Sequence, residues 1–508
     1  MLTDDGTISR SMPFSYIENL PDECLIEIFT YLTSNELKSV TFTCRTFANV
    51  VNSSSRLMKS FFMVVTRKRK WDFGTISVLQ RKHQALVLFD YSTLEESLDD
   101  ALIDGLENIG ANIKTLEFND CSLNASDFVN ILEMTNNLKH LKVVNSKILG
   151  SVNKFLDLKH LDGLKIIKSE VSYEIFSNVQ SLQNIEIETN ETNNVDLTHF
   201  AKILFSQLKL KHLTLVNLRL SNLFDIKMNC LFQLESLKLR QCHFRHKENF
   251  EIFLENQMSL TDIELSLSNM KLALDRVRYY DSIIACLMRK YSLTSLTLNI
   301  EEYKFASFNF MEGCQARELS LRSKDTNFSS SPFLKYFPLL ESLEVDIKEL
   351  NDENLEFINN STRLDTLKII NISSDCFGNI KNKNIQSLYI HETLIDQCDW
   401  KKFIENNPQI IKLVIRFSFL MDFNLNLLEY ITQKLNLMHI ELIDRYVGFD
   451  NDIYIMICEN CKGLKYIKLW NINIEKDFDE LDKDFLRRKN IKFHLFNDES
   501  LNKPMIPF

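Results

Sequence analysis

Glycine and proline are scarce in this sequence, which has 10 glycines and 7 prolines among 508 residues. Loops that bind phosphate need closely spaced glycines, because a backbone without a Cβ can approach the phosphate. None of the patterns GxGxxG, GxxxxGK[ST], GxSxG and HExxH occurs. Familiar nucleotide-binding, serine-hydrolase and zinc-peptidase sites are therefore absent. We expect no catalytic residue, no bound metal and no cofactor.

Long apolar runs and an excess of positive charge are also lacking. No stretch approaches the roughly 18 apolar residues of a membrane span, and the first twenty residues do not resemble a signal peptide. The net charge of −10 argues against a general binder of the nucleic-acid backbone. The 11 cysteines are odd in number and scattered, which favours reduced thiols over a disulfide framework. We expect a protein of the cytoplasm or nucleus that binds neither membrane nor nucleic acid.

A six-residue pattern, apolar-x-x-apolar-x-apolar, recurs along most of the chain. Strong copies run from "IKTLEF" at Ile113 to "LKYIKL" at Leu464, and a weaker one, "HQALVL", begins at His83. The fourth position of the first strong copy is Leu116 and that of the last is Ile467, which gives about 25 residues per copy. This period lies within the range of leucine-rich repeats.

The pattern has a mechanical meaning for the fold. Positions four and six lie on one face of a short strand and point into a core, whereas positions three, five and seven point the other way. Helical segments such as "DWKKFIENNP" separate the copies. One strand and one helix cannot bury their own apolar faces, so neighbouring copies must stack. The sequence predicts an α/β solenoid, a leucine-rich-repeat horseshoe with parallel strands inside and helices outside.

The stretch from Glu18 to Leu37, "ENLPDECLIEIFTYLTSNEL", differs from all later segments. Its apolar residues at 25, 28, 29 and 32 follow the i, i+3, i+4, i+7 spacing of one helical face. Thr33 followed by Glu36 predicts a capping box that begins a second helix. We expect that helix to present Leu37, Val40, Cys44, Phe47 and Val51 on one face. Two helices of this length cannot form a large core alone, so we expect their apolar faces to meet another element or protein.

The order and spacing of these residues resemble an F-box. Leu-Pro at the start, Ile-Phe-x-x-Leu in the first helix, a leucine after a polar turn and Cys-Arg-x-Phe all occur in order. The resemblance implies that this small all-α module binds the Skp adaptor, and through it the cullin and RING subunits of an SCF-type ubiquitin ligase. It implies an adaptor-binding set of Leu20, Pro21, Ile28, Phe29, Leu32, Leu37, Val40, Cys44 and Phe47. The spacing alone does not separate contact residues from internal core.

F-box proteins with leucine-rich repeats serve as non-catalytic substrate receptors, so the resemblance also implies that the repeats bind a target protein. The alternatives are a repeat scaffold for protein interactions without a role in ubiquitylation, and an enzyme with an unrecognised site. The predicted organisation is a disordered N-terminal tail (1–16), an F-box (17–58), a linker (59–82), about 15 or 16 repeats (83–496) and a C-terminal tail (497–508).

The strand face of a repeat array is its usual binding surface. Large side chains occupy positions three, five and seven in the C-terminal copies, and arginine and aromatic residues commonly anchor interfaces. The predicted substrate-binding set is Tyr389, His391, Arg416, Tyr466 and Trp470. A solvated face without a partner is the alternative interpretation.

Four weaker patterns remain, and the two that contain cysteine favour structural roles. Cys458 and Cys461 form a CxxC pair, but no second pair completes a zinc site, so we expect buried thiols. Cys242, His243 and His246 lie together, yet Cys242 already has a packing position in its repeat. The basic run Arg67 to Lys70 fits either a nuclear localisation signal or a charged surface. The long interval from Ile263 to Leu296 carries Lys271, Arg276, Arg278, Tyr279 and Tyr280, and fits either a functional insertion or a longer outer helix.

Overall fold

The computed structural model describes most of the chain. The described residues are 17, 20–58, 61–66, 83–94, 98–150, 156, 158–190, 197–220, 232–242, 247–266, 276–299, 313–322, 333–346, 350–391, 395–416, 425–443, 452–470 and 491–496. The chain divides into two compact units, Met1–Phe232 and Gln233–Phe508. The predicted tails and the basic run at 67–70 lie outside the described residues.

Four helices open the first unit: α1 (Asp22–Phe29), α2 (Ser34–Thr43), α3 (Arg45–Ser53) and α4 (Ser55–Met58). The predicted capping box is confirmed at the start of α2. The Thr33 N–H donates to Glu36 Oε2 at 2.7 Å, and the Glu36 N–H donates to Thr33 Oγ1 at 3.4 Å. The prediction that one second helix continues through Val51 is wrong. Cys44 adopts an extended backbone with φ −153° and ψ 165°, which ends α2 and begins α3.

The rest of the first unit is built on a parallel sheet. Its seven described strands are β1 (Phe62–Thr66), β2 (Ala85–Phe89), β3 (Thr115–Asn119), β5 (His140–Val144), β7 (Gly163–Ile167), β8 (Asn184–Glu188) and β9 (His212–Val216), each paired with the next. A separate parallel pair joins β4 (Ser122–Asn124) to β6 (Lys147–Leu149). The helices after the fourth are α5 (Asp100–Ile109), α6 (Ala125–Met134) and α7 (Leu197–Ser206), and 3-10 turns span Gly110–Asn112 and Tyr173–Phe176.

The second unit repeats the same plan. Its eleven described strands are β10 (Ser236–Arg240), β11 (Asp262–Ser266), β12 (Ser295–Asn299), β13 (Glu318–Arg322), β14 (Ser342–Asp346), β15 (Thr366–Ile370), β16 (Ser387–His391), β17 (Lys412–Arg416), β18 (His439–Ile443), β19 (Tyr466–Trp470) and β20 (Lys492–Phe496). Every neighbouring pair is parallel. Its helices are α8 (Lys247–Asn256), α9 (Arg276–Met288), α10 (Asp352–Asn360), α11 (Ser374–Gly378), α12 (Gln397–Asn406), α13 (Leu425–Lys434) and α14 (Asp452–Asn460), with a 3-10 turn at Phe333–Tyr336.

The register explains why the leucines recur. Position four of one copy pairs with position four of the next, as in Leu367, Leu388 and Leu413, and all three side chains are fully buried. Full burial of each such side chain contributes about 1.5–3 kcal/mol. Since the same position is filled in successive copies, the strands stack without a register shift. The predicted fold class of parallel strands and helices behind a small helical module is confirmed.

Polar side chains secure the turns that lead into the strands. Asn407, three residues before the first apolar residue of its copy, donates through Nδ2 to the carbonyls of Ile380 and Phe403 at 2.9 and 2.7 Å. Its Oδ1 accepts the Asn382 N–H at 2.9 Å. Gln207 holds the same position in the first unit and donates to the Val179 carbonyl at 2.6 Å. These buried amides satisfy backbone groups that would otherwise lack partners at the helix ends.

The left-handed turn after each of several strands accounts for part of the glycine scarcity. Asp90, Asp120, Asn145 and Asn371 follow strand ends directly and have φ between 48° and 55°. Aspartate and asparagine enter this region more readily than other non-glycine residues. The left-handed residues after these strands are thus not glycine.

One strand lies inside the segment assigned to a linker. β1 pairs along its full length with β2, from Phe62 with Ala85 to Thr66 with Phe89. Its sequence "FMVVT" is rich in β-branched and aromatic residues, which favour strands. The sheet therefore begins before residue 83, immediately after the N-terminal helices.

Candidate adaptor-binding module and strand face

The N-terminal helices enclose a small apolar core. Leu25 and Phe29 of α1 pack with Leu37 of α2 and with Phe47 and Val51 of α3. The rings of Phe29 and Phe47 meet edge to face, with centroids 5.3 Å apart at 83°. Such a ring pair contributes about 0.5–1.5 kcal/mol beyond area burial. The module therefore has a defined interior that fixes the orientation of its outer residues.

Polar contacts hold the helix ends in place. The hydrogen bond from the Thr33 backbone, and to a lesser extent the one with the Thr33 side chain, keeps the Glu36 pKa below its ordinary value. The Cys44 Sγ accepts the Phe47 N–H at 3.4 Å and so caps α3. Arg56 Nη1 lies 2.7 Å from Glu27 Oε2, which ties α4 to α1 on the surface. Cys44 thus has a local structural role in addition to its place in the F-box pattern.

The structure separates the nine predicted adaptor-binding residues into three groups. Phe29, Leu37 and Phe47 are buried in the module core. Pro21 and Ile28 are exposed, and Ile28 shows 41% of its surface to solvent. The remaining four are partly buried against the core: Leu20, Leu32, Val40 and Cys44.

Two large exposed residues belong to the same module but were missed by the sequence analysis. Tyr31 follows α1 and is 82% exposed, and Phe42 near the end of α2 is 84% exposed. Pro21, Cys24, Ile28 and Tyr31 are spaced three or four residues apart, so they form one exposed stripe beside the buried stripe of Leu25 and Phe29. We call these four residues the α1 stripe. A count of large apolar residues that do not fit the core period would have indicated Tyr31 and Phe42.

The strand face carries four residues of the predicted substrate-binding set, Tyr389, His391, Arg416 and Tyr466. Tyr389 lies between two cations: Lys368 Nζ is 5.5 Å and Lys412 Nζ is 5.2 Å from its ring centroid. His391 and Arg416 are direct cross-strand neighbours on β16 and β17. Tyr389, His391 and Arg416 are all partly exposed. The structure therefore brings these three residues onto adjacent strands.

Tyr466 lies on β19, two strands beyond Arg416 on β17, and has a different neighbour. Its ring stacks on His439, with centroids 4.3 Å apart at 15°. Burial, and secondarily the charge of Glu441, raises the Tyr466 pKa above its ordinary value. Trp470 ends the same strand, and its side chain lies outside the described residues.

Carboxylates on this face are held by neighbouring nitrogen groups. His439 Nε2 lies 2.8 Å and Lys468 Nζ 3.6 Å from the Glu441 carboxylate. The His439 hydrogen bond lowers the Glu441 pKa, against an opposing effect of burial. Burial would raise the Glu344 pKa, but the Arg322 hydrogen bond and the charges of Arg322 and Lys368 leave it lowered. Both carboxylates are therefore charged at neutral pH.

The cysteine patterns have packing roles. Cys458 and Cys461 are buried, and burial raises the Cys461 pKa to about 11. No cluster of three or more potential metal ligands occurs among the described residues. Cys242 is buried in its repeat, whereas His243 and His246 lie outside the described residues.

The long interval before Leu296 contains α9. This helix has 13 residues and is the longest among the described helices. Lys271 and the side chains of Arg276, Arg278, Tyr279 and Tyr280 lie outside the described residues. Within the described residues, no helix is both long enough and apolar enough to cross a membrane.

Comparison with known proteins adds one family match. Residues 17–64 match the model of the F-box-like family. No curated protein matches the chain. The match begins at the predicted start of the helical module and ends within β1.

Solved structures include leucine-rich-repeat proteins among those similar to the chain. The crystal structure of the TLR13–ssRNA13 complex shares 13% identity with a TM-score of 0.34, over 87% of this chain and 62% of that one. A leucine-rich-repeat protein of Leptospira interrogans shares 14% identity with a TM-score of 0.30, over 82% of this chain and 91% of that one. The chain thus spans less than two thirds of the TLR13 chain.

Proposed function

We propose that this chain is the substrate-recognition subunit of an SCF-type ubiquitin ligase. The F-box-like module binds a Skp adaptor, which links the chain to the cullin and RING subunits. The strand face binds the protein to be modified. The single observation that carries this proposal is the α1 stripe, an exposed apolar surface on a module of the F-box-like family.

The physical argument begins with exposure. Tyr31 and Ile28 present apolar surface that the module core does not cover. Exposed aromatic and aliphatic groups on a rigid base are typical interface anchors, because burial on a partner costs little conformational entropy. The capping box and the Arg56–Glu27 pair fix the helices beneath the stripe. The module is therefore preorganised for a partner.

The chain itself then supplies proximity and no catalytic group. A target bound to the repeats and a ubiquitin-charged enzyme bound through the adaptor belong to one assembly. Their effective concentration is high, so transfer to a target lysine is accelerated.

The test is co-purification with one variant and one matched control. Tagged wild-type chain should bring down the Skp adaptor and cullin. Ile28→Asp should lose both, because a carboxylate on the α1 stripe would be desolvated at the interface. Ile252→Asp changes the same residue type on α8, where the side chain is 57% exposed, and should retain both. Equal recovery with Ile28→Asp, or no adaptor with the wild-type chain, would refute the proposal.

A further inference from the structure

Charged side chains on the strand face of the first unit occur largely as cross-strand pairs. Lys142 Nζ lies 2.8 Å from Glu117, and Lys165 Nζ lies 2.6 Å from Glu186. The second unit begins in the same way, with Arg240 Nε 2.6 Å from Glu264. Each pair joins neighbouring strands at positions three, five or seven. Most cations of the face are thus neutralised locally.

Strands β15 to β17 depart from this arrangement. Their nine outward positions contain no aspartate or glutamate: Thr366, Lys368, Ile370, Ser387, Tyr389, His391, Lys412, Val414 and Arg416. We call these nine residues the cationic window. Because strands lie about 4.8 Å apart, the outer two strands of the window are about 10 Å apart, which leaves room for one extended peptide.

Carboxylates border the window but do not neutralise it. Glu344 on β14 is shared between Arg322 at 2.7 Å and Lys368 at 3.7 Å. Glu441 on β18 is engaged by His439 and Lys468. Lys412 acts on Glu441 only at longer range.

Two cations of the window remain available to a partner. Within the described part of the chain, neither Lys412 nor Arg416 forms an ion pair with a carboxylate, and both are partly exposed. The Nζ atoms of Lys412 and Lys368 lie 5.2 and 5.5 Å from the centroid of the Tyr389 ring. Arginine and lysine together with a tyrosine hydroxyl form a donor set suited to carboxylate oxygens.

We propose that the cationic window binds an acidic, extended segment of the target protein. This inference rests on the proposed function, since it names the substrate class for the same strand face. Charge complementarity carries it: the chain has a net charge of −10, yet this window concentrates cations without acidic residues. Partner carboxylates would pair with Lys412 and Arg416, and the Tyr389 hydroxyl would donate a third hydrogen bond.

The test uses a defined probe, a fluorescent decaglutamate peptide, and measures its binding by anisotropy to the purified full chain. The Lys412→Gln/Arg416→Gln double variant should bind about tenfold or more weakly, because two charge-assisted contacts are lost. The matched control, Lys142→Gln/Lys165→Gln, removes the same charge from paired positions of the first unit. It should bind within about twofold of the wild type.

Three results would overturn the inference. These are no binding of decaglutamate, equal losses in the window and control variants, or tighter binding of oligouridine RNA through the same residues. Far-ultraviolet circular dichroism should show that both variants are folded. Co-purification of the Skp adaptor with the window variant separates the two proposals, because loss of peptide binding with the adaptor retained leaves the F-box-like role intact.

Discussion

Tyr31→Ala should weaken adaptor binding without unfolding the helical module. Tyr31 is 82% exposed, so the free chain gains little stability from it. A buried tyrosine covers about 150–250 Å², and the exposed share of that area is roughly 160 Å². At about 25 cal/mol per Å² its burial on an adaptor would contribute at most about 4 kcal/mol. Because association also costs entropy, we expect a loss of about 1–3 kcal/mol, or about fivefold to 150-fold in Kd.

Phe29→Ala is the stability counterpart of this variant. Phe29 is buried against Phe47, and removal of a buried phenylalanine costs about 3–5 kcal/mol. Hydrogen exchange across residues 22–58 should accelerate in Phe29→Ala and stay unchanged in Tyr31→Ala. Calorimetry with purified Skp adaptor measures the affinity of each variant. Unchanged affinity in Tyr31→Ala, or unchanged exchange in Phe29→Ala, would refute the assignment of core and surface.

Three further predictions concern the repeats and the thiols. Asn407→Ala should destabilise the second unit by about 1–3 kcal/mol in a denaturant titration, because buried backbone groups lose their partner; an unchanged midpoint would argue against the amide's role. The lowered Glu441 pKa stabilises the fold above its unfolded value near 4.5, and this stability is lost as pH falls through the folded pKa. Glu441→Gln should therefore flatten the acid side of the stability profile, and an identical profile would contradict the His439 contact. Cys24 should react rapidly with a thiol reagent at pH 7 while Cys461 reacts only on unfolding, and rapid labelling of Cys461 would contradict its burial.

The sequence predicts the repeats well because one physical requirement recurs. Leu367 and Leu388 fill the same stacked position, so their spacing in the chain reports the fold directly. The capping box at Thr33 is equally local and therefore predictable. The extended residue at Cys44 is harder to predict, because an apolar helical period continues across it. The spacing of apolar residues does not reveal where an extended residue ends one helix and begins the next.

The functional surfaces depend on contacts that spacing does not contain. Ile28 shares a helical face with Leu25 in the sequence pattern, yet it lies at the edge of that face and remains exposed. Whether Lys412 meets a carboxylate depends on the residues of neighbouring strands some 25 positions away. The outward positions of Tyr389 and Arg416 follow from the strand period. Their cationic surroundings follow only from the register.

The central claim is that the F-box-like module delivers proteins held by the repeats to a ubiquitin ligase. The most direct measurement replaces the native protein in cells with Ile28→Asp or Ile252→Asp and follows the abundance of its proximity-labelled partners. If the claim holds, at least one partner accumulates with Ile28→Asp. Its abundance then matches the level seen when the protein is removed or the proteasome is inhibited. The same partner stays low with Ile252→Asp. Partner levels that do not change with Ile28→Asp, despite loss of the adaptor, would contradict the claim and favour a scaffold without a role in ubiquitylation.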